Sequence, residues 1–185
     1  MNRHPKLLNP DYSLLLVIDI QEKLFRVMPD SVKIADRAER LLEGCKVLGI
    51  PLWYTEQYPK GLGPTIEQLA VHCHDAPRFE KTGFSICMNA DLVHALKTSS
   101  FRQIVLVGIE THVCVLQSAF DLKHNGFQVC VVRDAVGSRF DIDHSTALQR
   151  MQQEKITVTT SESVLFEWLV KAGTEKFKKL SALIK

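Results

Sequence analysis

Apolar residues in this chain follow two patterns. Short unbroken apolar runs alternate with longer segments whose apolar positions recur every three or four residues. The first run is "SLLLVIDI" (Ser13–Ile20), apolar from Leu14 through Ile18 and followed by Asp19. A strand exposed on one face alternates polar and apolar positions. An unbroken run fits a strand covered on both faces, as in a parallel sheet. In "SVKIADRAERLLEGCKVLGI", Val32, Ala35, Ala38, Leu41, Leu42, Cys45 and Leu48 keep helical spacing. Ser31 is a possible cap and Gly49 a stop.

The alternation continues along the chain. "PLWYT" (Pro51–Thr55) reads as a second strand, and "EQYPKGLGPT" carries two prolines and two glycines, which is turn chemistry. A short strand at Arg78–Lys81 precedes the helix "NADLVHALKTS". The strand Arg102–Gly108 then leads into a helix over Thr111–Asn125, stopped at Gly126. A strand at Phe127–Ala135, a helix at Asp141–Lys155 and a β-branched strand at Ile156–Thr160 follow. "SESVLFEWLVKA" opens on Ser161 as a partial capping box without the N3 acid. An amphipathic tail, "TEKFKKLSALIK", ends the chain. Strands alternating with helices imply an α/β fold, a mainly parallel sheet with helices on both faces joined by right-handed crossovers.

Composition narrows the function classes. The 185 residues suit one domain spanning 1–185. With 23 basic and 21 acidic residues, the net charge of +2 gives no reason to expect nucleic acid or a membrane surface as partner. No apolar run reaches the ~18 residues of a membrane span, and the first residues lack a secretion signal, so cytoplasmic localisation is expected. Five scattered cysteines (Cys45, Cys73, Cys87, Cys114, Cys130) do not suggest a disulfide framework. "HCH" at His72–His74 has no second Cys/His pair at zinc spacing and reads as a polar surface loop. Neither metal nor cofactor is expected.

In open parallel sheets the active site lies beyond the carboxyl ends of the strands. Asp19, Lys81 and Cys114 each fall at or just after a strand end. Each also has an ordinary reading: a loop-capping carboxylate, a solvated lysine, a small buried hydrophobe. The first turn of a helix offers unpaired N–H groups and a positive dipole end, which would lower the Cys114 pKa and could hold an oxyanion. Asp19 could take the thiol proton and return it to a leaving group. Lys81 would stabilise negative charge beside them. His112 sits two residues before Cys114, so the two side chains diverge around the helix. A pocket-lining role suits it better than that of base.

On "LLLVIDIQEKLF", "FEKTGFS" and "VLVGIETHVCVLQSAFDLKHNGFQVCVVRDAVGSR", the sequence resembles the isochorismatase-like hydrolases, also called the cysteine hydrolase family. The motifs occur in family order and cover nearly the whole chain. "TEQYPKGLGPT" and the closing "FKKLSALIK" look closest to the branch of isochorismatase domain-containing proteins. The resemblance implies a three-layer Rossmann-like fold with a six-stranded sheet ordered 3-2-1-4-5-6, and commonly a homo-oligomer. It implies an Asp–Lys–Cys triad of Asp19, Lys81 and Cys114, and a non-proline cis peptide at Ile109–Glu110. Oxyanion stabilisation would fall to Ile109, Glu110, Val113 and Cys114.

Two departures from the family shape the expected chemistry. The nicotinamidase branch holds a metal through an Asp-x-His motif after the second strand, and "YTEQYPKGLGPT" contains no histidine. True isochorismatases lack the cysteine, so Cys114 argues against that reaction. The expected reaction is hydrolysis of a small-molecule C–N bond, amide or carbamoyl, through a thioester on Cys114. Phe25, Tyr54, Gln57, Tyr58, Phe84, Glu110, Thr111 and His112 are the expected substrate-binding residues. Glu110 is unusual for the amidase members. It either binds a cationic or amide N–H group of the substrate or makes a structural hydrogen bond to a neighbouring loop. The rival reading is a binding or scaffolding module with the same fold. A nuclease role, suggested for some protozoan relatives, is weaker.

Overall fold

The structure, a computed structural model, describes residues 3–184. Six parallel strands form one sheet in the order β3-β2-β1-β4-β5-β6. They are β1 (Ser13–Ile18), β2 (Leu52–Gln57), β3 (Arg78–Lys81), β4 (Gln103–Ile109), β5 (Gln128–Gly137) and β6 (Thr157–Thr159). The helices are α1 (Glu22–Phe25), α2 (Ser31–Leu48), α3 (Pro59–Leu62), α4 (Glu67–Ala70), α5 (Ala90–Thr98), α6 (Leu116–His124), α7 (Asp141–Gln153), α8 (Ser161–Leu169) and α9 (Glu175–Ile184). Lys185, the last residue of the tail motif, lies outside the described residues. The result is the three-layer, Rossmann-like arrangement that the alternating pattern implies.

The unbroken apolar strands have the physical reason expected of them, because each face of the sheet is covered. Leu15 and Val17 of β1 join Val105 and Val107 of β4 in a cluster closed by α2, α8 and α9. Leu14, Leu16 and Ile18 turn the other way, into a cluster closed by α5, α6 and α7. All six residues of β1 and all seven of β4 are buried.

Two caps differ from expectation. The residue preceding α2 is Asp30, not Ser31, and it makes no capping hydrogen bond because its carboxylate binds Lys33 at 2.9 Å. The cap of α8 is Thr160, whose Oγ1 accepts from the Ser163 N–H, so Ser161 is the first helical residue. Both starts sit one residue before the sequence reading, within the ordinary uncertainty of helix ends.

Register brings the carboxyl ends of the strands into line. Ile18 pairs with Thr55 on one side and Gly108 on the other, while Gln57 pairs with Lys81. Gly108 has no room for a side chain. Its φ is +133°, and a Cβ there would lie 2.0 Å from the Ile18 carbonyl oxygen. β4 slips register against β5 between Leu106 and Gly108, and the chain then turns toward Cys114.

Candidate active site

Each of the three groups is delivered by the end of a strand. The apolar run of β1 stops at Asp19, which adopts φ +53°. That left-handed conformation is uncommon outside glycine, and Asp is one of the residues that tolerates it. The kink lets the Asp19 N–H donate to the Thr55 carbonyl (3.3 Å) while its own carbonyl accepts from Gln21 (2.8 Å). The carboxylate therefore turns back over the sheet edge, where Oδ1 accepts from Thr55 Oγ1 at 2.7 Å.

Lys81 is the last residue of β3, and its Nζ lies 2.6 Å from Asp19 Oδ2. The side chains are 1 % and 0 % exposed. An ion pair this deeply buried is a poor stabilising device, because desolvating both charges offsets most of their attraction. Gln57 Oε1 (2.7 Å), Phe84 O (3.1 Å) and Cys114 Sγ (3.6 Å) also lie around Lys81 Nζ, and its hydrogens are shared among these acceptors.

Cys114 lies in a π-helical turn, Thr111–Val115, that runs into α6. Wide turns of this kind inside helices recur at functional sites. The peptide before the turn, Ile109–Glu110, is cis. The Asp19 carboxylate is near enough to raise the pKa of the thiol. Asp19, Lys81 and Cys114 thus converge on one point from three strand ends.

The thiol is not the acidic one that a helix start would give. Burial pushes Cys114 up to about 12, the Asp19 carboxylate pushes it the same way, and Lys81 offsets part of the rise. The nearby amides do little to counter this, since Val113 N–H and Val115 N–H both donate to the Glu110 carbonyl at 3.1 and 3.2 Å. The N–H of Val113, one of the expected oxyanion donors, is thus engaged in the resting protein. Cys114 therefore rests as a thiol and needs a base to react, and the carboxylate beside it is Asp19.

The expected substrate-binding residues divide into two groups. Tyr58 and Phe84 are exposed at the carboxyl edge, and Tyr58 lines a cavity of about 320 Å³ together with Lys60, Glu80 and Lys81. Tyr54 instead packs into the α2-side cluster, across the sheet from Cys114, because strand alternation sends it there. Phe25 packs on that same side. Gln57 is held against Lys81 rather than offered to a ligand.

Glu110, Thr111 and His112, at the entry to the nucleophile turn, are held by protein partners as well. Glu110 Oε1 accepts from the Arg139 N–H (3.0 Å) and Nε–H (3.1 Å), which is the structural of its two readings. Thr111 is fully buried against His144 Nδ1 at 3.0 Å. His112 meets Ser138 Oγ at 2.9 Å, on the side of β5. Away from the triad, His72 pairs with Glu39 and His74 with Asp75. No three His, Cys, Asp or Glu residues among the described ones are placed to share a metal ion.

Sequence reasoning missed Thr55, Gln21, Ser138, Arg139 and His144. All act across elements distant in sequence, so no local motif marks them. The alternation of β2 was the one available signal, since Thr55 and Gln57 share a face.

Comparison with known proteins agrees with this geometry. An isochorismatase domain model matches residues 13–163. Isochorismatase family protein 1A of Dictyostelium discoideum is 37% identical over 180 residues, covering 95% of this chain and 87% of that protein. A Caenorhabditis elegans structure named the MAR1 ribonuclease superposes with a TM-score of 0.90 at 39% identity, covering 96% of this chain and 91% of that one. An Escherichia coli structure, described as an octameric hydrolase of unknown specificity, gives 0.89 at 26% identity, covering 99% and 92%. With the domain model spanning most of the chain and relatives matching it nearly end to end, the protein belongs to the isochorismatase-like cysteine hydrolase family.

Proposed function

We propose that the protein hydrolyses a C–N bond of a small molecule, amide or carbamoyl, with Cys114 as nucleophile. The observation that carries this reading is the convergence of a thiol, a carboxylate and an ammonium, with Lys81 Nζ 2.6 Å from Asp19 and 3.6 Å from Cys114. The Cys114 proton passes to Asp19 as Sγ bonds to the substrate carbonyl carbon. Lys81 and the backbone amides of Glu110 and Cys114 stabilise the charge that develops. Collapse of the tetrahedral adduct breaks the C–N bond, and Asp19 gives its proton to the departing amine. Asp19 then takes a proton from water, the hydroxide displaces the Cys114 thiolate from the thioester, Asp19 returns the proton to Sγ, and the acid is released. No step requires a metal or an organic cofactor.

The test is a panel of small amides, ureas and carbamoyl acids assayed for amine or ammonia release. At least one should be turned over by the protein and not by a Cys114→Ala variant. Equal release by both would refute the reading.

A second reading comes from the C. elegans relative, whose name is that of a ribonuclease. The small-molecule reading is preferred here. Cys114 is only 5 % exposed and the net charge is +2, which suits a small uncharged substrate better than a polyanion. RNA cleavage lost in Cys114→Ala would favour the ribonuclease instead.

One domain over 1–185 is supported by the single sheet that both cores share. A homo-oligomer is proposed from the octameric relative together with the exposed Phe140 and Ile142. Among the described residues no helix is long and apolar enough to cross a membrane, and a cytoplasmic location is proposed.

A further inference from the structure

We infer that Gln57 is a positioning residue that holds the Lys81 ammonium between Asp19 and Cys114 while leaving its charge available to the thiol. The inference rests on the triad reading above and concerns how that triad is set.

β2 and β3 are parallel and paired so that Gln57 lies opposite Lys81, the last residue of each strand. Side chains paired in this way leave the sheet on the same face. The Gln57 amide then has only one workable orientation. Its oxygen faces an ammonium, which can only donate, at 2.7 Å. Its nitrogen faces the Thr82 carbonyl, which can only accept, at 2.7 Å. Flipping the amide would set donor against donor and acceptor against acceptor, so the acceptor stays on Lys81.

The Gln57 backbone is clamped in turn. Its N–H donates to Gln21 Oε1 (2.7 Å) and its carbonyl accepts from Gln21 Nε2 (3.1 Å), which also donates to Gly63 O (2.6 Å). Gln21 lies two residues after Asp19 and Gly63 follows α3. The loops after β1 and β2 are thereby tied to the residue that fixes the lysine.

The number of acceptors around Nζ explains why such a device is needed. An ammonium has three hydrogens. Asp19 Oδ2, Gln57 Oε1, Phe84 O, Gly83 O and Cys114 Sγ all lie within 3.6 Å. Without Gln57, Nζ is free to swing toward the carbonyls of Gly83 and Phe84 and away from the sulfur.

The choice of an amide also matters. A carboxylate at position 57 would hold the ammonium equally well but neutralise its field. Lys81 lowers the Cys114 pKa and Asp19 raises it, so a second carboxylate would tip the balance further toward the thiol. An amide gives the geometry without the charge.

The experiment follows alkylation of Cys114 by iodoacetamide against pH, read by peptide mass so that the other cysteines do not contribute. It needs no substrate. Gln57→Leu should move the Cys114 profile up by about one pH unit, a tenfold lower rate at a fixed pH on the rising limb. In a Lys81→Met background the same substitution should change nothing, because its effect passes through the lysine. Gln57→Glu should also shift the profile up while melting like the parent protein. It serves as the test if Gln57→Leu fails to fold.

An unshifted profile in both folded variants would overturn the inference. So would an equal shift of Gln57→Leu with and without Lys81, which would mark a purely structural role. If Lys81→Met alone left the profile unmoved, the triad reading itself would fail. That result is distinct from a failure confined to Gln57.

Discussion

Asp19 acts on Cys114 in two opposite ways, and one substitution separates them. Its charge raises the thiol pKa, second only to burial. Its carboxylate is also the group placed to accept the proton during attack. Asp19→Asn should therefore speed alkylation of Cys114 at pH 9, because more thiolate is present. The same variant should lose about 10²–10⁴-fold in turnover, the usual worth of a general base. Slower alkylation together with unchanged turnover would contradict both roles. The three triad residues were readable from their places at strand ends and from the resemblance. The state of the thiol was not, because a helix start in sequence does not reveal that the turn is π-helical, that Cys114 is 5 % exposed, or that Val113 and Val115 spend their N–H groups on Glu110. The sequence leaves Glu110 open between two readings for a similar reason, since its partner Arg139 lies 29 residues further on.

Strands and helices set these residues in place, and at Gly108 β4 lies against β1 with no room for a side chain. A Cβ at Gly108 would meet the Ile18 N, C and O atoms at 2.0–2.8 Å, and the φ of +133° is one that L side chains rarely adopt. Gly108→Ala forces β4 away from β1, one residue before the edge that carries Asp19. Overpacking of this kind costs about 1–3 kcal/mol, and for a chain of this length each kcal/mol is worth about 2–4 °C. A melting point lower by roughly 2–12 °C is expected, with weaker Cys114 labelling at any pH where the variant stays folded. A variant that melts and labels like the parent protein would show that the two strands can part freely. The strands themselves were readable from their unbroken apolar runs, though β2 runs on to Gln57 instead of stopping at Thr55. Those two extra residues decide that Gln57 faces Lys81. A turn-rich stretch beginning "EQYP" concealed them, because turn composition marks where a strand must end and not how far pairing with β3 extends it.

Cysteine burial should be felt in the stability of the protein as a whole. Burial raises Cys73 and Cys87 to about 11 and Cys130 and Cys114 to about 12, against an ordinary value of 9.0, and it raises Cys45 as well. A folded-state pKa above the unfolded one means that the folded chain keeps protons which the unfolded chain gives up. The stability these thiols contribute is present below pH 9 and is lost as pH climbs from 9 through 11–12. The urea midpoint should hold between pH 7 and 8.5 and then fall steadily, less steeply in Cys45→Ala. A midpoint flat to pH 11 would mean that the thiols are not buried as described. The central claim, that Cys114 carries the acyl group of a cleaved C–N bond, is tested most directly by intact-protein mass after rapid quenching in acid with a substrate taken from the amide and carbamoyl panel. The account predicts one added acyl group, located on the Cys114 peptide, absent in Cys114→Ala and accumulating in a variant slowed in hydrolysis. Turnover of that substrate with no adduct on Cys114 at any quench time, or an adduct on another residue, would contradict it.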